Sequence, residues 1–197
     1  MKMTMLVLIS YLIGCFPSAY FLGKMYKNID IRNHGSGNSG STNALRVMGT
    51  KFGILTLALD VLKGIVAVLI GRAILGDQGA LISGVLVVLG HNFPIFLKFK
   101  GGKGVATSIG VLMILTWQTA LTVVIIGVLT IIITRYVSLG SILGGISAPI
   151  TAVLVMQTMD KPLFITVVIL ASLLIIRHKD NIKSLCKGEE NKFGNKI

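Results

Sequence analysis

Two short stretches carry most of the residues that could do chemistry. Gly35-Ser36-Gly37-Asn38-Ser39-Gly40-Ser41-Thr42-Asn43 runs into Ala44-Leu45-Arg46, and Lys98-Phe99-Lys100-Gly101-Gly102-Lys103-Gly104 follows further along. Glycines let the backbone approach a ligand and aim several N–H groups at one anion. Arg46 adds a planar, permanently charged fork that matches phosphate. Alone, the first stretch reads equally well as a flexible linker. The same chemistry in the second stretch points to a paired phosphate site.

Two further patches extend the donor set: Ser138-Leu139-Gly140-Ser141, and Arg177-His178-Lys179-Asp180-Asn181. His91-Asn92 sits just before the second loop. Carboxylates do not cluster, so Mg²⁺ or Ca²⁺ chemistry has no ligand set. The three histidines, His34, His91 and His178, are scattered and do not resemble a zinc site. No metal is expected. A site rich in donors and poor in acids suits phosphorylated substrates.

Literal motif matches fail on context. Residues 35–40 satisfy G-x-G-x-x-G, but no strand precedes them and no βαβ unit is present. Lys103 lacks the glycine spacing and the following Ser or Thr of a phosphate-binding P-loop. His91 has no aspartate at the spacing of the soluble His-x4-Asp acyltransferases.

The elements that must position these residues are membrane helices. Of 197 residues, 53% are apolar and only 13% charged, about half the charged share of a soluble domain. The net charge of +12 comes as short basic clusters between apolar runs. That is the pattern of cytoplasmic loops, not of a nucleic-acid-binding surface. Cys15 and Cys186 match no metal or redox spacing, and no disulfide is implied. The N-terminal apolar run lacks a small-residue cleavage site before Lys24 and reads as a retained span.

Spans are expected near residues 3–23, 52–71, 79–96, 142–157 and 163–176. Residues 104–134 carry no charge and would make a helix of about 46 Å, too long for about 30 Å of hydrocarbon. Two short spans turning near Trp117-Gln118-Thr119 fit better. The fold expected is an all-α integral membrane bundle of about seven transmembrane helices. Its N-terminus lies outside and its C-terminus in the cytoplasm, which keeps the basic loops inside. Residues 1–188 form one transmembrane domain, and 189–197 form a polar cytoplasmic tail that frays after Gly188. Asp60 and Lys63, three apart inside a span, share a helix face. They are either a neutralising pair that fixes packing or a pair lining the site.

These residues resemble one family over nearly the whole chain. The segment 35–46, Gly90-His91-Asn92-Phe93-Pro94 with 99–107, and Ser138-Leu139-Gly140-Ser141 look like the three signature motifs of the bacterial acyl-phosphate:glycerol-3-phosphate acyltransferases. Asp60-Val61-Leu62-Lys63-Gly64 and residues 177–182 are similar to that family too. Ser39 and Ser41 depart from the usual first motif, where an apolar residue or Pro and an Ala are expected.

The resemblance implies transfer of an acyl group from a fatty acyl phosphate to the 1-hydroxyl of sn-glycerol 3-phosphate. The products would be 1-acyl-sn-glycerol 3-phosphate and phosphate, in the first acylation of phospholipid synthesis. It implies a bacterial cytoplasmic (inner) membrane, an active site facing the cytoplasm, no cofactor, and the lipid bilayer as surroundings. The enzyme that supplies acyl phosphate is a further candidate partner, and nucleic acid is not one.

On this reading Arg46 and Lys103 clamp phosphate, with Gly101, Gly102 and Gly104 as backbone donors on the loop that takes glycerol 3-phosphate. Ser36 and Asn38 hydrogen-bond at the reacting centre, with Gly37 and Asn43 in the same loop. Ser138, Ser141, His178 and Asn181 complete the polar wall, and Gly140 lets the acyl phosphate approach closely. His91 is the candidate for proton handling, or else a structural histidine holding the loop. A membrane transporter of a phosphorylated small molecule is the alternative function. It should bind near the midplane, whereas the motifs here gather at one face.

Overall fold

The computed structural model describes residues 1–155 and 160–194. Among them are nine α-helices, two single 3₁₀ turns and no strand. The helices are α1 (Lys2–Cys15), α2 (Ser18–Lys27), α3 (Ser41–Met48), α4 (Thr50–Asn92), α5 (Val105–Leu115), α6 (Trp117–Thr134), α7 (Val137–Val155), α8 (Lys161–Arg177) and α9 (Lys179–Cys186). Most are apolar around their whole circumference, as helices surrounded by lipid and by other helices are.

Helix α4 has 43 residues, which as a straight rod would be about 65 Å, twice the hydrocarbon thickness. It turns back on itself instead. Leu75 and Gly76 leave helical geometry, with Gly76 at φ +62°. Beyond them Gly79 lies so close to the first arm that a Cβ there would sit 2.1 Å from the Gly71 carbonyl oxygen. By length and composition three helical stretches can cross a membrane: Thr50–Leu97, α6 and α7. Two bent pairs raise that to five if each is one broken span: α1 with α2 (43°) and α8 with α9 (57°). Helix α5 is apolar but shorter.

Lipid tails give helices no hydrophobic reason to associate, so close backbone approach through small residues takes over. A Cβ on Gly14 would meet the Val87 carbonyl at 2.2 Å, and one on Gly90 the Tyr11 carbonyl at the same distance, which seats α1 on the second arm of α4. Ser10 Oγ donates to Ser83 Oγ (2.9 Å) in that seam. Gly110 meets Val61 in the same way, joining α5 to the first arm. Helices α6, α7 and α8 follow side by side, and α8 closes back on α4 and α5. The core runs through Val68 and Val88 of α4, Val111 of α5, Ala120 of α6, Ala152 of α7 and Val167 of α8.

Several expectations change in detail. The turn expected near Trp117 falls at Thr116, between α5 and α6. The span expected from residue 142 begins earlier, so Ser138-Leu139-Gly140-Ser141 lies in the first turns of α7. Arg135 adopts the left-handed conformation (φ 65°) and its N–H donates to Ile131, so the connection is complete in two residues. The expected end of that span at Gln157 lies outside the described residues, as does the tail beyond Gly194. Residues 189–194 return to the helices, with Phe193 N–H donating to the Arg135 carbonyl at 2.6 Å.

Candidate active site

All the polar patches arrive at one end of the bundle. Helix α3, the second arm of α4 at its C-terminus, the loop before α5, the start of α7 and the bend between α8 and α9 meet there. Below them is a cavity of about 570 Å³. Its upper wall carries Ser36, Asn38, Arg46, His91, Lys103, Gly104, Ser138, Ser141, His178 and Asn181. Its lower wall is aliphatic, with Leu57 and Val61 of α4, Leu112 of α5, Val128 and Ile131 of α6, Ala148 of α7 and Leu170 of α8. Gly140 also lines it. The shape is a polar head site on top of a greasy channel.

The first loop is knotted by Asn43, which is 1% exposed. Its Oδ1 accepts from Ser36 N–H (2.9 Å), and its Nδ2 faces the carbonyls of Asn38 (2.9 Å), His34 (3.0 Å) and Ile31 (3.2 Å). Its amide is therefore spent on the loop, and neither Asn43 nor Gly37 lines the cavity. Asp30 caps the preceding turn and pairs with Arg32 at 2.7 Å. The bond from Arg32 holds the Asp30 carboxyl below the usual carboxylate range. Arg32 also donates to the Leu97 carbonyl (3.4 Å), tying the first loop to the second.

The second loop is held from two sides. Gly102 N–H donates to the His91 carbonyl at 3.1 Å. Arg177 donates to the carbonyls of Gly101 (3.0 Å) and Gly102 (3.0 and 3.1 Å) and stacks over Phe93. Gly101 and Gly102 thus shape the loop from behind and do not line the cavity; the Gly102 N–H expected to meet substrate is already engaged. Gly104 (φ +81°) starts α5 at the cavity wall. A helix N-terminus with a lysine beside it is a ready anion site. Lys103 Nζ donates to Asn181 Oδ1. Burial holds the Lys103 ammonium below the ordinary lysine range, with Arg177 and Arg46 acting in the same direction against Glu190 and Asp180.

Asp60 and Lys63 lie beside this layer and are almost fully buried, paired at 2.8 Å. Asp60 touches the cavity and Lys63 does not. Ser18 Oγ donates to Asp60 Oδ1 (2.8 Å). Lys63 donates to the Phe16 carbonyl (3.1 Å), freed where the chain bends at Pro17, and lies 2.7 Å from His91 Nδ1. His178 is 2% exposed, and its Nδ1 donates to the Leu174 carbonyl at 2.8 Å. A carbonyl only accepts, so in the neutral ring Nε2 is the acceptor.

Glu190 has no place in the sequence reading, yet it lines the cavity. Its Oε1 accepts from Ser138 Oγ (2.7 Å) and Asn181 Nδ2 (2.8 Å). Arg46 Nη2 reaches the next carbonyl, that of Asn191, at 3.3 Å. The available signal was an acidic pair, Glu189-Glu190, in an otherwise basic tail. Among the described residues no three His, Cys, Asp or Glu side chains gather in a way that could hold a metal ion.

Residues 4–188 match the family model described as Glycerol-3-phosphate acyltransferase. The chain is 51% identical over 189 residues to the glycerol-3-phosphate acyltransferase of Thermoanaerobacter sp. (strain X514), covering 96% of this chain and 94% of that one. Against the Bacillus subtilis (strain 168) glycerol-3-phosphate acyltransferase it is 44% identical over 192 residues, 98% of each chain. The fold is similar to the crystal structure of PlsY (YgiH), an integral membrane glycerol 3-phosphate acyltransferase, in its glycerol 3-phosphate form. The TM-score is 0.90, with 37% identity over 97% of this chain and 95% of that one. The lysophosphatidic acid form of the same protein gives 0.89 at 36% identity.

Proposed function

The chain belongs to the glycerol-3-phosphate acyltransferase family and is an integral membrane acyltransferase; from that premise we propose that its donor is a fatty acyl phosphate. It moves the acyl group to the 1-hydroxyl of sn-glycerol 3-phosphate, forming the lysophosphatidic acid and releasing phosphate. The observation that carries this reading is a donor-rich polar layer set directly on an aliphatic channel. A phosphorylated head and a long acyl tail are the two halves of such a donor. An acyl phosphate is already an activated anhydride, so the site mainly has to orient two anions and stabilise developing charge.

In this scheme Arg46 and Lys103 clamp phosphate, and Gly104 with the start of α5 offers backbone donors to glycerol 3-phosphate. Ser36 and Asn38 stand at the reacting centre. Ser138, Ser141, His178 and Asn181 close the polar wall, and Gly140 leaves room beside it. Residues 1–188 act as one transmembrane acyltransferase domain with 189–197 as its tail. Seven crossings, with the N-terminus outside and the active site on the cytoplasmic side of a bacterial inner membrane, fit the charge distribution. The site end carries Lys24, Lys27, Lys98, Lys100, Arg135 and Lys179, and the opposite end holds Lys2, the Arg72–Asp77 pair (3.3 Å) and Asp160-Lys161. The hairpin in α4 supports two crossings there. The geometry favours an enzyme over a transporter, because Arg46, Lys103, His178 and Asn181 lie at or near helix ends, while the Asp60–Lys63 pair halfway along the first arm of α4 neutralises itself.

The test uses purified protein in lipid with glycerol 3-phosphate, comparing palmitoyl phosphate with palmitoyl-CoA. Lipid product and phosphate appearing together, and only with the acyl phosphate, are expected. Turnover with the thioester alone would discard the donor assignment.

A further inference from the structure

We propose that Asp60 and Lys63 are positioning residues that hold His91 as a neutral ring protonated on Nε2, making it a fixed hydrogen-bond donor at the second loop and not a base. The inference rests on the acyl-transfer reading for its consequence, but its geometry stands apart from it. Lys63 Nζ has three neighbours: Asp60 Oδ1 at 2.8 Å, the Phe16 carbonyl at 3.1 Å and His91 Nδ1 at 2.7 Å. An ammonium has three hydrogens and no lone pair. Its hydrogens are therefore all placed, and the one aimed at His91 requires an unprotonated Nδ1. Asp60 Oδ1 lies 3.6 Å from that nitrogen, too far to receive a proton from it. A doubly protonated ring would set an N–H against the ammonium.

The proton left on Nε2 faces the glycine loop. A Cβ on Gly102 would meet Nε2 at 2.1 Å, nearer than Cε1 (2.7 Å) or Cδ2 (3.1 Å). Nε2 has no hydrogen-bond partner among the described residues, and His91 lines the cavity beside Lys103. The donor is thus unspent and stands next to the loop that takes the phosphorylated acceptor. Its orientation is fixed from behind by two buried charges that neutralise each other, the kind of support that keeps a functional ring in one tautomer.

The experiment is ¹⁵N NMR of histidine-labelled full-length protein in nanodiscs. The chain has three histidines, and H91Q identifies the His91 signals. An unprotonated Nδ1 and a protonated Nε2, unchanged from mildly acidic to mildly alkaline pH, are expected. An Nδ1–H tautomer or a titrating ring would overturn the proposal. In K63M the ring should lose its single tautomer; the double variant K63M with D60N gives the same readout without a stranded carboxylate. If His91 keeps its tautomer in both, Lys63 is not the lock.

Kinetics supply the second arm. Gln still offers an N–H but takes no proton at neutral pH, so H91Q should keep kcat/KM within roughly tenfold, whereas H91L should lose on the order of a hundredfold. Equal losses in both variants would sink the donor role, and so would near-normal turnover by H91L. The tautomer is read without substrate, so a wrong donor assignment and a wrong lock fail in different experiments.

Discussion

Glu190 accepts a hydrogen bond from Ser138 at 2.7 Å, 52 residues away in the chain. It brings the C-terminal segment to the first turn of α7, and its second bond, from Asn181, adds α9. Hydrogen bonds to a charged acceptor are worth about 1.5–3 kcal/mol each. Glu190→Ala strands Ser138, which is 6% exposed, and frees the tail. A fall in Tm of about 5–10 °C is expected for a loss of some 2–3 kcal/mol in a chain of this size. Thermal unfolding followed by thiol labelling of buried Cys15 would read it. Glu190→Gln, which keeps an acceptor, should lose less. Equal melting of all three proteins would show that the tail adds nothing.

Lys103 should make phosphate binding sensitive to alkaline pH. Desolvation by burial is the first cause of its lowered pKa, so the ammonium gives up its proton at lower pH than a solvated lysine does. As pH rises through that range the site loses a positive charge, and KM for the phosphorylated substrate should climb. Lys103→Arg stays charged throughout and should flatten the alkaline rise even if its turnover is lower. An identical rise in both enzymes would place the titration elsewhere.

Much of this was legible before the fold because lipid imposes simple rules. Apolar runs marked the helices, and the uncharged stretch 104–134 had to break because it is too long for one crossing. Arg46, Lys103, His178 and Asn181 stood out as polar residues beside such runs, and all four reach the cavity. What stayed hidden depends on direction. Asn43 and Gly102 sit in the glycine stretches but turn inward to hold them, and side-chain type cannot tell the two sides of a loop apart. Glu190 was missed because its role comes only from the tail's return, which no local periodicity announces.

Arg177 should control affinity for the acceptor more than the chemical step. Its guanidinium grips the carbonyls of Gly101 and Gly102 and lies 5.1 Å from the Phe93 ring centroid, and a lysine cannot reproduce that fork. Both Arg177→Lys and Arg177→Gln should raise KM for glycerol 3-phosphate on the order of tenfold, with a smaller change in kcat. Gly101→Ala should be harsher, since its Cβ would stand 2.1 Å from the His91 carbonyl oxygen. Steady-state kinetics at saturating acyl donor separate the two parameters. A fall in kcat with KM unchanged would mean that Arg177 acts on the reacting centre instead.

Ala148 should set the depth of the channel. It is 5% exposed, lines the cavity and stands on α7 below Gly140. Eight residues of helix separate the two, about 12 Å of descent from the polar layer. A phenyl ring at 148 would fill the floor where, on the proposed reading, the distal acyl carbons would lie. Each methylene kept in contact is worth about 0.8 kcal/mol, so displacing two of them costs roughly tenfold in kcat/KM. Ala148→Phe should therefore shift preference from palmitoyl to lauroyl phosphate by about that factor, while the shorter donor reacts nearly as before. The two donors would compete in one reaction, with products separated by mass. An unchanged product ratio in folded protein would mean that the acyl chain leaves the cavity above Ala148, toward lipid between α4 and α6.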